Sequence, residues 1–353
     1  HPELYALLRL RPGYLPELER YFRALDARAL DGKERAEGER PALPEALQPF
    51  AGRDDLRRLL CLCDEDDARF DALTPLDVRS YITLTRRSTP QAEAPAVLTA
   101  RLAFEPELVP VPAGPFLMGT SKEQAAALKK KYDWAEKFEY FDREHPQHTV
   151  TLPAFEIGKY PVTNAEYAEF VKATGYAAPQ HWRNGALPED LADHPVVNVS
   201  WRDALAYVTW LREVTGQPYR LPTEAEWEKA ARGSEGRLWP WGDAWQPERG
   251  NLKPNGPGET TPVGQYSPAG GDSPYGCADM AGNVWEWCSS LYKPYPYRGD
   301  DGRENLEEGD VRVLRGGSWY DDNPAYARCA YRAWDRPDYG DDNYGFRVAR
   351  GSL

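Results

Sequence analysis

The sequence predicts an α+β fold preceded by a small helical region. Three observations carry this prediction. Up to about residue 105, apolar residues recur at helical spacing. Beyond that point, short apolar runs alternate with turn residues, and the whole chain holds 32 Pro and 29 Gly. In that second part, hydroxyl–carboxylate pairs mark the starts of short helices, and a glycine ends each one.

In the first region Leu4, Leu7 and Leu8, then Leu15, Leu18, Tyr21, Phe22 and Leu25, fall on one helical face. Asp54 and Asp55 open a second helix carrying Leu56, Leu59, Leu60 and Cys63. Phe70, Leu73 and the run Leu76 to Tyr81 suggest one more. Lys33 to Arg40 reads as a solvated connector and Pro90 to Pro95 as a linker. Cys61 and Cys63 form a C-x-C pair with no further Cys or His near them, so helix packing explains them better than zinc. The region, residues 1–105, reads as a helical adaptor without chemistry of its own.

From residue 106 to 353 the texture changes. Val109-Pro110-Val111-Pro112 leads into the apolar strand Gly114 to Gly119. His148 to Leu152 and Phe155 to Ile157 are strand-like. Lys129-Lys130-Lys131 sits in a charged, exposed insertion. Three capping boxes follow. Thr163 and Glu166 open a helix burying Tyr167, Phe170 and Val171, stopped at Gly175. Ser200 and Asp203 open one burying Ala204, Tyr207, Val208 and Leu211, stopped near Gly216. Thr223 and Glu226 open one burying Trp227, Ala230 and Ala231, stopped at Gly233.

Composition narrows the function. The net charge of −13 disfavours nucleic acid, because phosphate contact needs basic patches. No apolar run reaches the ~20 residues that span a bilayer. Five Cys is an odd count in 353 residues, which favours a reducing, cytoplasmic compartment over a disulfide framework. The chain begins at His1, as a trimmed protein or fragment would, so surface display and further N-terminal domains stay open.

The last stretch, Leu314 to Arg350, has two stiff ends and a different middle. Arg315 to Trp319 and Gly345 to Val348 read as strands with glycines at close backbone approaches. Between them Tyr, Asp, Asn, Gly and Ala crowd together with few aliphatics. Such a segment coats a surface held by rigid flanks, which is a common way to build a binding site. An ordinary solvated loop would have the same composition.

Several runs carry a resemblance. Phe155 to Phe170, Pro195 to Trp201, Arg220 to Trp227, Asp279 to Trp287, Arg315 to Trp319 and Gly345 to Val348 occur in an order that resembles the formylglycine-generating, sulfatase-modifying family, over roughly residues 109–350. The resemblance implies a C-type lectin-like fold of the formylglycine-generating type. The oxidases of that family resemble a copper–thiolate design, with two Cys between the Gly-Gly-Ser motif and a later Arg. Here Ser318 to Arg328 contains no Cys, and Cys277, Cys288 and Cys329 match scaffold motifs. No copper is therefore expected, and the chain is expected not to be an enzyme. The iron-dependent sibling branch uses a histidine-rich N-terminal bundle, whereas only His1 precedes His145. His145 and His148 lack a third ligand for a metal.

The terminal segment also looks like the variable region of a diversity-generating retroelement protein. That resemblance implies a non-enzymatic binding protein with a diversified surface, directed at a protein or glycan. The residues expected to face a ligand are Tyr320, Asp322, Ala325, Tyr326, Tyr331, Ala333, Trp334, Asp335, Arg336, Tyr339, Asp341 and Asn343, with Trp319, Pro324, Arg328, Cys329, Ala330, Arg332 and Pro337 as scaffold. The alternative is a formylglycine-generating-type oxidase acting on a Cys-containing protein. The family resemblance further implies structural calcium at two sets. One is Asp279, the Gly282 and Val284 carbonyls and Glu286. The other is Asn251, the Leu252 carbonyl, Asn255 and the Pro257 carbonyl, which has no carboxylate and is expected to bind weakly or stay empty.

Overall fold

The computed structural model describes residue 102 and residues 104–136 and 139–351. The helices expected earlier in the chain, with Cys61 and Cys63, lie outside the described residues. Among the described residues ten strands form three sheets. The first has the order β1 (Leu108–Val111), β4 (Phe155–Gly158), β10 (Ala349–Arg350), β5 (Tyr219–Arg220), all antiparallel. The second pairs β2 (Gly114–Met118) with β3 (His148–Leu152). The third runs β8 (Ala333–Asp335), β7 (Arg312–Arg315), β6 (Trp285–Leu291), β9 (Tyr344–Gly345), with only the β6–β9 pair parallel. Strand β10 lies against β4, so the last described strand is sewn into the sheet that the first one opens. The result is the expected α+β architecture.

Among the described residues five α-helices accompany the sheets: α1 (Lys122–Lys131), α2 (Asp133–Glu136), α3 (Asn164–Thr174), α4 (Trp201–Thr215) and α5 (Glu224–Arg232). The three expected capping boxes all form. Thr163, Ser200 and Thr223 each accept from the backbone N–H three residues on, and Glu166, Asp203 and Glu226 reach back to the cap N–H. Gly175 and Gly216 stop their helices in the left-handed region, at φ 69° and 67°. A fourth box, Ser121 with Gln124, opens α1, and the lysines 129 to 131 end it, where they oppose the helix dipole favourably.

Helices α3 and α4 pack an aromatic core against the third sheet and the chain end. Tyr167 stacks on Tyr207 at 5.6 Å, and Phe346 meets both rings edge-on. Trp201 and Trp287 are fully buried, and their indole N–H groups donate to the Cys288 and Val199 carbonyls. A second feature is a set of buried arginines, each held by a buried glutamate. Arg328 pairs with Glu144, Arg332 with Glu224, Arg347 with Glu286, and Glu228 takes both Arg232 and Arg315. Buried charges persist only when paired and hydrogen-bonded, and these pairs tie loops to the sheet.

Candidate functional site

The terminal segment leaves β7 through Gly316 and Gly317, both at positive φ. A Cβ at Gly317 would meet the Ala327 backbone at 3.2 Å, so only glycine lets the segment fold back on itself there. Further along, Arg328 and Arg332 plunge inward. Arg328 makes a bidentate pair with Glu144 at 2.8 and 2.6 Å. Arg332 grips Glu224 and lies 3.9 Å over the Tyr295 ring. These anchors decide which of the intervening side chains can face outward.

The outward set is smaller than expected. Tyr320, Trp334 and Tyr339 are exposed at 58%, 45% and 39%, and Asp322 and Arg336 are exposed with them. Tyr326, Ala333, Asp335 and Asp341 are half-buried. Ala325, Tyr331 and Asn343 are buried and do not face a ligand. Ala325 belongs to the main core. The Tyr331 ring is wedged between Trp285 and Tyr326, at 5.8 and 5.2 Å. Asn343 accepts the Trp285 N–H at its carbonyl and donates from Nδ2 to Ser318 Oγ. Trp319, expected in the scaffold core, is half-buried with its ring against Tyr320.

A residue absent from the expected set lies among these groups. Asp321 accepts the Ser318 N–H at 2.7 Å and the Ser318 hydroxyl at 2.8 Å on one oxygen, and the Trp285 side chain also bonds its carboxyl. The residue keeps a partly exposed edge while its carboxyl turns inward. Burial pushes that carboxyl up to about 6, against the lowering effect of the Ser318 bonds. The signal was present in the sequence: Ser318 and Asp321 have the same three-residue spacing as the capping boxes.

The calcium sets behave differently from expectation. Glu286 gives both oxygens to Arg347 and also accepts the Trp227 indole N–H, so its charge is already paired. Asp279 accepts the Gly264 N–H at 2.6 Å, and burial raises it to about 6. In the second set, expected to be the weaker, the Leu252 carbonyl accepts the Asn255 and Gly256 N–H groups, and one acceptor stands open. Asn251 Oδ1 is buried without a hydrogen-bond donor, and a Cβ on Gly256 would lie 2.1 Å from it. The Leu252 carbonyl lies 3.0 Å from the same point. Among the described residues no three His, Cys, Asp or Glu side chains gather as a metal cluster. His145 and His148 are occupied with backbone groups, at Thr120 and at Pro146 and Tyr297.

The three described thiols do not suit copper. Cys277, Cys288 and Cys329 are fully buried. Burial raises Cys277 to about 11 and Cys329 to about 12, and moves Cys288 the same way. A cuprous site needs accessible thiolates.

A family model described as the sulfatase-modifying factor enzyme 1-like domain matches residues 94–352. Hercynine oxygenase of Mycolicibacterium smegmatis is 37% identical over 266 residues, which are 64% of this chain and 57% of that protein. The chain thus spans little more than half of that relative. Formylglycine-generating enzyme of Bos taurus is 32% identical over 327 residues, 76% of this chain and 81% of the enzyme. Inactive C-alpha-formylglycine-generating enzyme 2 of Mus musculus is 34% identical over 302 residues, 70% and 86% of the two chains. Among solved structures, PvdO from Pseudomonas aeruginosa is 28% identical with a TM-score of 0.57, covering 74% of this chain and all of PvdO. Treponema denticola variable protein 1, 23% identical with a TM-score of 0.54, covers 69% and 94%. The fold is therefore C-type lectin-like, of the formylglycine-generating type.

These relatives overturn the expectation that the chain is not an enzyme. Proteins 32% and 37% identical to it are named as enzymes, although an inactive relative stands beside them. The lack of Cys between Ser318 and Arg328 argues against one metal design and not against catalysis.

Proposed function

The chain belongs to the sulfatase-modifying factor enzyme 1-like family, and from that membership we propose that it is an oxidative enzyme acting on a Cys-containing protein or peptide. The reaction class follows the names of the relatives, an oxygenase and a formylglycine-generating enzyme. The observation that carries the reading to a place on this chain is the aromatic rim around Asp321. Trp285, Tyr331 and Tyr326 form a continuous wall. Tyr320, the residue before Asp321, adds an exposed ring beside it, while Trp334 and Tyr339 stand exposed against Tyr292 and Tyr344. Exposed aromatics on rigid flanks are the usual anchors of recognition. In this reading the surface first assigned to a ligand binds the substrate's flanks, and the thiol reaches Asp321.

The test supplies the full chain with a Cys-containing peptide and oxygen, with copper and with iron(II) in separate reactions. A mass change or an aldehyde that requires the Cys, and is absent from the Ser-substituted peptide, is expected with one of the metals. No Cys-dependent product with either metal removes this reading.

A further inference from the structure

We propose that Asp321 is the base that takes the proton from the substrate's thiol, with Ser318 and Asn343 as its positioning residues. The proposal rests on the reading of the chain as a thiol-oxidising enzyme. The step is a proton transfer: the S–H bond breaks, an O–H bond forms on the Asp321 carboxylate, and no electron is gained or lost. The thiolate it leaves is the reactive form of the substrate.

The buried carboxylates fall into contrasting kinds. Glu144, Glu224, Glu228 and Glu286 are fully buried, and each is held by an arginine. At Glu228 burial pushes the carboxyl up, but the Arg315 and Arg232 charges outweigh it and hold the group below its usual range. Asp321 is turned inward too, yet no lysine or arginine pairs with it among the described residues. Its partners are the Ser318 amide and hydroxyl and the Trp285 side chain. The charged and titratable groups around it are Asp322, Tyr331 and Lys253. Lys253 presents its backbone N–H to the Asp321 carbonyl and its ammonium to the face of Tyr320, 4.8 Å from the ring centre. The like charge of Asp322 pushes in the same direction as burial.

The support beneath Asp321 is directional. Asn343 Nδ2 donates to Ser318 Oγ at 3.0 Å, so the serine hydroxyl has its own hydrogen left for the Asp321 carboxylate. The chain Asn343–Ser318–Asp321 thereby fixes one oxygen of the carboxylate. Asn343 Oδ1 is buried and lacks a donor. An ordinary aspartate, near 3.9, is a poor base for a thiol near 8.5. Burial narrows that gap from about 4.6 units to roughly 2.5.

A purely structural Asp321 would close the Ser318 turn and do nothing more, so the test uses readouts that a turn does not move. The first is kcat/KM for oxidation of the Cys peptide against pH. Wild type should show an acidic limb near pH 6. Asp321→Asn should lose the limb and fall about a hundredfold or more, the usual scale for general-base loss, while Asp321→Glu restores the limb. A limb that survives in Asp321→Asn overturns the proposal. The second readout needs no turnover: the rate at which a small haloacetamide alkylates the peptide's thiol in the metal-free complex. Wild type should accelerate it at least tenfold over Asp321→Asn at pH 7, with peptide affinity unchanged. Equal rates overturn the proposal even where oxidation is observed. Acceleration without oxidation would sustain the base and sink only the oxidative reading.

Discussion

Arg347 closes on Glu286 with two parallel hydrogen bonds of 2.6 Å, joining the Gly-Phe-Arg-Val motif at the chain's end to the Trp-Glu-Trp motif of the central strand. The same guanidinium donates to the Gly158, Lys159 and Ala278 carbonyls, so one side chain ties β6, the end of β4 and the loop before β6. Glu286 also takes the Trp227 indole N–H from α5. The pair is therefore a structural hub beneath the site.

Breaking that hub should be expensive. Glu286→Gln leaves a buried guanidinium without its counter-charge, and removal of one partner of a buried pair typically costs about 3–5 kcal/mol. Urea unfolding followed by tryptophan fluorescence measures the loss. A cost below about 1 kcal/mol, the range of exposed pairs, would show that the hub is less desolvated than its burial implies.

Exposed and wedged aromatics in one segment should separate cleanly. Tyr320→Ser, Trp334→Ser and Tyr339→Ser, each alone, should shift stability by no more than about 0.5 kcal/mol. Tyr331→Ala should cost about 3 kcal/mol or more, as large-to-small changes in cores do. The same denaturation experiment decides. A loss at Tyr339 as large as that at Tyr331 would place Tyr339 in the core and take it out of the substrate surface.

Asp321 also makes a prediction about pH. Its folded carboxyl is raised to about 6, above the unfolded value near 3.9. The folded state therefore holds the proton more tightly. The stabilisation is fully present below about pH 4 and disappears as pH rises through 6, an effect of up to about 3 kcal/mol. Asp321→Asn carries no such charge. Its melting temperature relative to wild type should rise between about pH 4 and pH 6.5 and stay flat above about pH 7. A difference independent of pH would mean that the carboxyl titrates normally.

How much of this was legible depended on the reach of each interaction. The capping boxes at Thr163, Ser200 and Thr223 were readable because both partners sit three residues apart. The partner of Glu286 lies 61 positions away, so nothing local told this pairing from the calcium role that the resemblance implies. Tyr320 and Tyr331 could not be told apart in a segment without periodicity; the inward pull of Arg328 and Arg332 on Glu144 and Glu224 decides which ring is buried. Asp321 was passed over because it stood in a run of similar polar residues, although its spacing from Ser318 was the same local signal that marks the helix starts.

The two calcium sets differ in the acceptors they leave open: the Leu252 carbonyl already accepts the Asn255 and Gly256 N–H groups, whereas Asn251 Oδ1 has no donor. We predict that calcium binds at Asn251 Oδ1 and not at Glu286. Asn251 Oδ1 is a buried acceptor with no donor, a costly state unless a cation or water completes it. Glu286 already accepts three hydrogen bonds and is paired with Arg347. After exhaustive chelation, calcium at about a hundredfold above its dissociation constant should add about 2.7 kcal/mol to stability. Magnesium should add less, because it gives up its water reluctantly. Two variants locate the ion. Gly256→Ala places a methyl where it would lie 2.1 Å from Asn251 Oδ1, and should abolish the calcium-dependent gain. Glu286→Gln lowers stability throughout but should retain the gain. If Glu286→Gln loses the gain and Gly256→Ala keeps it, the ion sits at the Asp279 set after all. If wild type shows no gain, Asn251 Oδ1 is satisfied by water and the fold stands without calcium.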